Sequence, residues 1–211
     1  MPEGRKPIQT YLTKEGNESN AYEAVRTELK KGHQAYFVYP AIGLNEAQEE
    51  NFSENNEFSA NEELFEESGQ KKQALKAAED AFNFLQTQVY PEYKCALIHG
   101  KISEDEQAQI LEDFKNGKIN ILVATTVVEV GVNVPNASCM VIEQADRFGL
   151  AALHQLRGRV GRGSEQSYCF LIYSKNITEN GIARMKAIRQ TNDGFAIAEE
   201  DLKLRGPGEI T

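Results

Sequence analysis

Ile119-Asn120-Ile121-Leu122-Val123-Ala124-Thr125-Thr126-Val127-Val128-Glu129-Val130-Gly131-Val132-Asn133-Val134-Pro135 decides the architecture of this chain. Its first six residues make a short apolar run of the kind expected for a strand buried on both faces. Thr126 and Glu129 then form S/T-x-x-E, a capping box that opens a short helix. Gly131 stops that helix and Pro135 keeps it stopped. A helix amino terminus at the carboxyl end of a buried strand collects free N–H groups and the positive end of a dipole, which suits an anion. The same string also describes a well-capped helix with no ligand, and in isolation that is the commoner outcome.

The alternation repeats on both sides of this stretch. Ala35–Tyr39, Cys95–Ile98, Cys139–Ile142 and Tyr168–Tyr173 are further short apolar runs. Between them, Leu75, Ala78, Phe82, Leu85 and Val89 follow a helical spacing, and Ile110, Leu111 and Phe114 line another helix face. Strand, helix, strand in this order predicts an α/β fold with a parallel sheet and right-handed crossovers. Leu97-Ile98-His99-Gly100-Lys101-Ile102-Ser103 has the same design: a strand ends, Gly100 turns, and Ser103 with Glu106 caps a helix. His99 fits a packing role as well as a ligand role.

The other dense signal is His154-Gln155-Leu156-Arg157-Gly158-Arg159-Val160-Gly161-Arg162. On a helical period Gln155, Arg159 and Arg162 share one face, and Gly158 and Gly161 lie beside them. Two guanidiniums next to missing side chains suit a bound polyphosphate. A solvated basic helix, or an Arg-Gly tract binding nucleic acid without structure, is the plain alternative.

With 211 residues the chain can bury a full core. No apolar run approaches membrane-spanning length, and the polar start MPEGRKPIQT does not resemble a signal peptide, so a cytoplasmic location is expected. Cys95, Cys139 and Cys169 lie far apart inside strand-like runs, with no metal-ligand spacing among them. The net charge of −9 is localised: nine glutamates and no lysine or arginine fall between Ala41 and Gly69. An acidic average therefore does not argue against a nucleic-acid ligand. The acidic stretch 42–69 reads as an insertion of disorder-like composition, with a short surface helix near Asn61–Glu67 and the crossover helix beginning near Gln70. Residues 1–18 read as an extended lead-in from an upstream lobe, 19–175 as the sheet domain, and 176–211 as two helical segments, Ile177–Arg189 and Phe195–Leu204, with a Phe195, Ala198, Leu202 stripe.

Q-x-x-G-R-x-G-R, at 155–162, resembles motif VI of superfamily 2 helicases and translocases. The Thr125–Asn133 stretch resembles motif V, and the Gly100 loop resembles the motif between IV and V. The resemblance implies a RecA-like helicase C-terminal lobe in which Arg162 is the arginine finger for ATP, assisted by Arg159 and Gln155. It places Gly131 and Asn133 near the nucleotide, and Gly100, Lys101, Thr125 and Thr126 on DNA phosphates. Many relatives carry Asp where this chain has Asn133, which keeps an oxygen and loses the charge. No G-x-x-x-x-G-K-[ST] occurs, and Asp105-Glu106-Gln107 sits in a polar helix start rather than after a strand. ATP and Mg2+ are accordingly expected to be held mainly by a separate N-terminal lobe, leaving this chain inactive alone.

Residues 145–174 together with Asp193–Ile210 resemble the RecG family of branched-DNA helicases, a resemblance that covers 1–40 and 70–211. It implies a helical hairpin, the TRG motif, with Arg205 coupling motor movement to duplex DNA, and a following loop left incomplete at Thr211. Implied partners are forks and Holliday junctions, the upstream motor lobe and a wedge domain, with no membrane. The second lobe of the transcription-repair coupling translocase shares both motifs, and a non-catalytic nucleic-acid-binding module is the alternative of a different class.

Overall fold

The computed structural model describes residues 4–40, 60–125 and 133–205, with 60–68 and 205 described by backbone alone. Six parallel strands form one sheet in the order β1-β6-β5-β2-β4-β3. They are β1 (Gln9–Lys14), β2 (Gln34–Tyr39), β3 (Cys95–Ile98), β4 (Ile121–Thr125), β5 (Ala137–Ile142) and β6 (Tyr168–Tyr173). Helices α1 (Glu18–Lys30), α2 (Ala60–Phe84), α3 (Glu104–Lys115), α4 (Leu150–Arg157), α5 (Glu179–Gln190) and α6 (Gly194–Arg205) complete the fold.

β2, β4 and β5 are buried at every position, because helices cover both faces of the sheet. Alternate strand residues feed two cores. Phe37, Val123, Val141 and Phe170 pack with Val25 and Leu29 of α1 and with Ala78 of α2. Tyr36, Leu122, Met140 and Leu171 pack with Phe114 of α3, Leu153 of α4 and Met185 and Ile188 of α5. The three cysteines are buried in these strands, and burial pushes each thiol up to about 12, which keeps them inert. No helix among the described residues is long and apolar enough to cross a membrane.

Four features differ from the sequence reading. Residues 9–14, expected inside the lead-in, form the edge strand β1, paired in register with all of β6. The crossover helix α2 starts at Ala60, so the stretch 60–69 belongs to its first turns; the remainder of the acidic insertion, 41–59, lies outside the described residues. α4 ends at Arg157 with Gly158 as its C-cap, so Gln155, Arg159 and Arg162 do not share a helix face. On α6, Phe195 and Leu202 are 85 % and 70 % exposed, and Ile197 is the side chain that enters the core.

Candidate nucleotide-facing loop and nucleic-acid interface

The helix α4 turns its Leu150, Leu153 and Arg157 inward at i, i+3 and i+7. Arg157 is only 2 % exposed. Its guanidinium donates to the carbonyls of Ile188 and Thr191, the latter at 2.8 Å, and to Thr10 Oγ1 at 3.4 Å. It also meets His154 Nδ1 at 3.3 Å, where only a neutral ring can accept. Burial, then the Arg157 charge, lowers the His154 pKa against the opposing pull of Asp193. Arg157 is thus spent on structure. An arginine on the leucine face of a helix is the sequence signal for such a buried role.

Beyond Gly158 the chain makes a tight loop. Gly161 has φ +77, a left-handed conformation that favours glycine, and a Cβ there would lie 2.8 Å from Ile8 Cγ1. Its N–H donates to Ser167 Oγ at 3.0 Å. Gly163 approaches the segment before β5 so closely that a Cβ would sit 2.9 Å from the Pro135 carbonyl oxygen. These contacts hold Arg162 at the surface, with its Nε donating back to the Gly158 carbonyl at 3.3 Å. Arg159 is half-buried. Burial pushes Tyr36 up to about 12, against the opposing charges of Arg159 and Arg162. The exposed Asn133 is on the segment that Gly163 meets, and Gln155 is exposed on α4.

A cavity of about 340 Å³ opens beside this loop, lined by Arg5, Lys6, His154, Arg157, Gly161 and Arg162 among others, with no carboxylate in its wall. The cationic, acid-free donor set matches the phosphate end of a nucleotide.

The second group of expected residues lies at the other end of the sheet. Ile98 pairs with Ala124, so the Gly100 loop and Thr125 occupy neighbouring carboxyl ends of β3 and β4. Ser103 caps α3 by accepting from the Glu106 N–H at 3.3 Å, as the capping box predicts. Gly100 and Lys101 are exposed, whereas Thr125 is buried. His99 accepts from the Lys101 N–H at 3.2 Å and shapes the turn. Thr126, Gly131 and the capping box with Glu129 lie outside the described residues. Arg205 is the last residue of α6, and its side chain lies outside them as well. The structure therefore places the Arg159–Gly163 loop against the Asn133–Pro135 segment, before β5 and β6, through the approach of Gly163 to Pro135 and the bond from Gly161 to Ser167. Gly100, Lys101 and Thr125 stand at the carboxyl ends of β3 and β4, roughly 15–20 Å away along the strands.

Residues 62–164 match the helicase conserved C-terminal domain. The ATP-dependent DNA helicase RecG of Treponema pallidum is 46 % identical over 213 residues, covering 100 % of this chain and 27 % of that protein. RecG of Borreliella burgdorferi is 45 % identical over 210 residues, with the same coverage. The structure of RecG bound to a three-way DNA junction superposes with a TM-score of 0.73 at 40 % identity, over 99 % of this chain and 24 % of that one. The chain thus spans about a quarter of the length of the relatives it matches.

Proposed function

The chain is a RecG-like helicase C-terminal lobe of RecA-like fold, and from that premise we propose that it acts as the second motor lobe of an ATP-dependent remodeller of forked and junction DNA. The observation that carries this reading is Arg162, held at the surface of an acid-free cationic cavity by the left-handed backbone of Gly161. A planar guanidinium so placed can meet charge that develops on a phosphoryl group presented by a facing lobe. Arg159 adds a second positive charge, and Gln155 at the lobe boundary and Asn133 with Gly131 at the nucleotide sugar complete the assignment. ATP, with Mg2+ held mainly by the upstream lobe, supplies the anhydride whose hydrolysis drives the motor.

At the opposite end of the sheet Gly100 and Lys101, exposed in the loop before α3, together with Thr125 and Thr126 contact backbone phosphates. Branched DNA as partner is supported by the junction-bound RecG structure. Arg205, at the end of α6, transmits lobe movement to duplex DNA, and a wedge domain of the same protein engages the branch point. The setting is the cytoplasm.

The test is Arg162→Ala in the full-length protein. DNA-stimulated phosphate release should fall by about 10³ or more, with nucleotide affinity changing at most several-fold. Hydrolysis within threefold of the parent would refute the finger assignment.

A further inference from the structure

The segment before β1 is fastened to the arginine loop. Gln166 Nε2 donates to the Pro7 carbonyl at 2.7 Å, the Gln9 N–H donates to the Ser167 carbonyl at 3.1 Å, and Ile8 fills the space that a side chain at Gly161 would need. This docking brings Arg5 and Lys6 into the wall of the cavity that Arg162 lines. Both are exposed, and neither pairs with a carboxylate among the described residues. In a chain of net charge −9, the exposed Arg5, Lys6 and Arg162 thus converge on one concavity whose lining holds no carboxylate, Asp193 lying just outside it beside His154. Like charges held together by backbone contacts call for an anion from outside.

We propose that Arg5 and Lys6 form, with Arg162, a single polyphosphate-binding wall, so that the lead-in segment takes part in holding the triphosphate of the nucleotide. The inference rests on the motor-lobe reading and extends it to two residues that no helicase motif in this sequence contains. The alternative anion of the same chemistry is a DNA backbone. A strand backbone needs a track of positive charge, whereas these cations cluster at one concave point, at the end of the sheet away from Gly100 and Thr125. The dense charge of a triphosphate fits such a point.

The experiment uses the 211-residue chain and inorganic tripolyphosphate as the probe, titrated by calorimetry at low salt. Arg5→Ala/Lys6→Ala, Arg162→Ala and the distant control Lys118→Ala are compared, each checked by a melting curve. The double variant should bind tripolyphosphate about fivefold to tenfold more weakly, Arg162→Ala should weaken it separately, and Lys118→Ala should leave it unchanged. Binding of an oligothymidylate should be indifferent to the double variant. If only Arg162→Ala weakens tripolyphosphate, the wall proposed here is refuted and the finger reading stands. If only the double variant does, Arg162 is no part of the wall and the single-wall proposal is refuted, while the finger reading is judged by turnover alone. Equal loss of tripolyphosphate and oligothymidylate on Arg5→Ala/Lys6→Ala, or no binding of tripolyphosphate by the parent chain, overturns the proposal.

Discussion

Arg157 Nη2 donates to the Thr191 carbonyl at 2.8 Å, from the last residue of α4 to the residue that closes α5. With the Ile188 carbonyl also bonded, one guanidinium satisfies the end of a helix that would otherwise leave its carbonyls unpaired in the core. Burial draws the Arg157 pKa down, yet the group remains a cation and its acceptors are all neutral.

Arg157→Met should therefore destabilise the chain by about 2–4 kcal/mol, lowering the melting temperature by roughly 6–10 °C. Arg157→Lys should rescue little, since one ammonium cannot reproduce the planar fork. Limited proteolysis should cut first around Thr191–Gly194. A variant that melted like the parent would show that the hairpin stands without this tether.

Gly161→Ala combines a left-handed φ with a collision against Ile8. A loss of about 2 kcal/mol is expected in denaturant melts. Ile8→Ala in the same chain should recover part of it by opening space, while the backbone strain remains. Full recovery would mean that sterics alone dictate glycine here.

Glu143 gives the chain a pH dependence. Burial, then the neighbouring Glu18 and Glu15, raises its carboxyl to about 7, against the hydrogen bond from Tyr22. Between about 4.5 and 7 the folded chain holds a proton that the unfolded chain releases, so this contribution is complete at acid pH and lost as the pH rises through 7. Raising the pH from 5 to 8 should lower the melting temperature by about 5 °C through this group, and Glu143→Gln should flatten that slope. An unchanged slope in the variant would assign the dependence elsewhere.

Arg205→Ala in the full-length protein should separate the two activities. DNA-stimulated ATP hydrolysis should survive at least in part, while fork unwinding falls much further. Proportional loss of both, with a lowered melting temperature, would reduce Arg205 to a cap at the end of α6.

The central strands were legible because burial on both faces writes them as unbroken apolar runs, as in YFV of β2 and ILVA of β4. β1 is hidden by its position: as an edge strand with only one neighbour it reads Gln-Thr-Tyr-Leu-Thr-Lys, with no unbroken apolar run. The helix expected near Asn61–Glu67 is present, but the glutamate-rich composition and Gly69 hide its continuity with the crossover helix, which starts at Ala60. In the arginine loop the helical period fits the letters, yet Gly158 and Gly161 use their freedom to leave the helix rather than to sit inside it. On α6 the Phe195, Ala198, Leu202 stripe lies on the exposed side, and Ile197 faces inward. Spacing picks out the loop and its cations, but their meeting with residues 5–8 depends on the β1–β6 pairing, which no local pattern reveals.

That pairing also fixes how the lobe bears a load. β1 is reached from its amino end and β6 leaves at its carboxyl end, and the two run parallel through six matched residues. Tension applied between Gln9 and Tyr173 acts along the strands in opposite directions and shears the pair. The inter-strand bonds then resist together, instead of failing one after another as in unzipping. Force so directed is shared by the six matched residues of this edge pair.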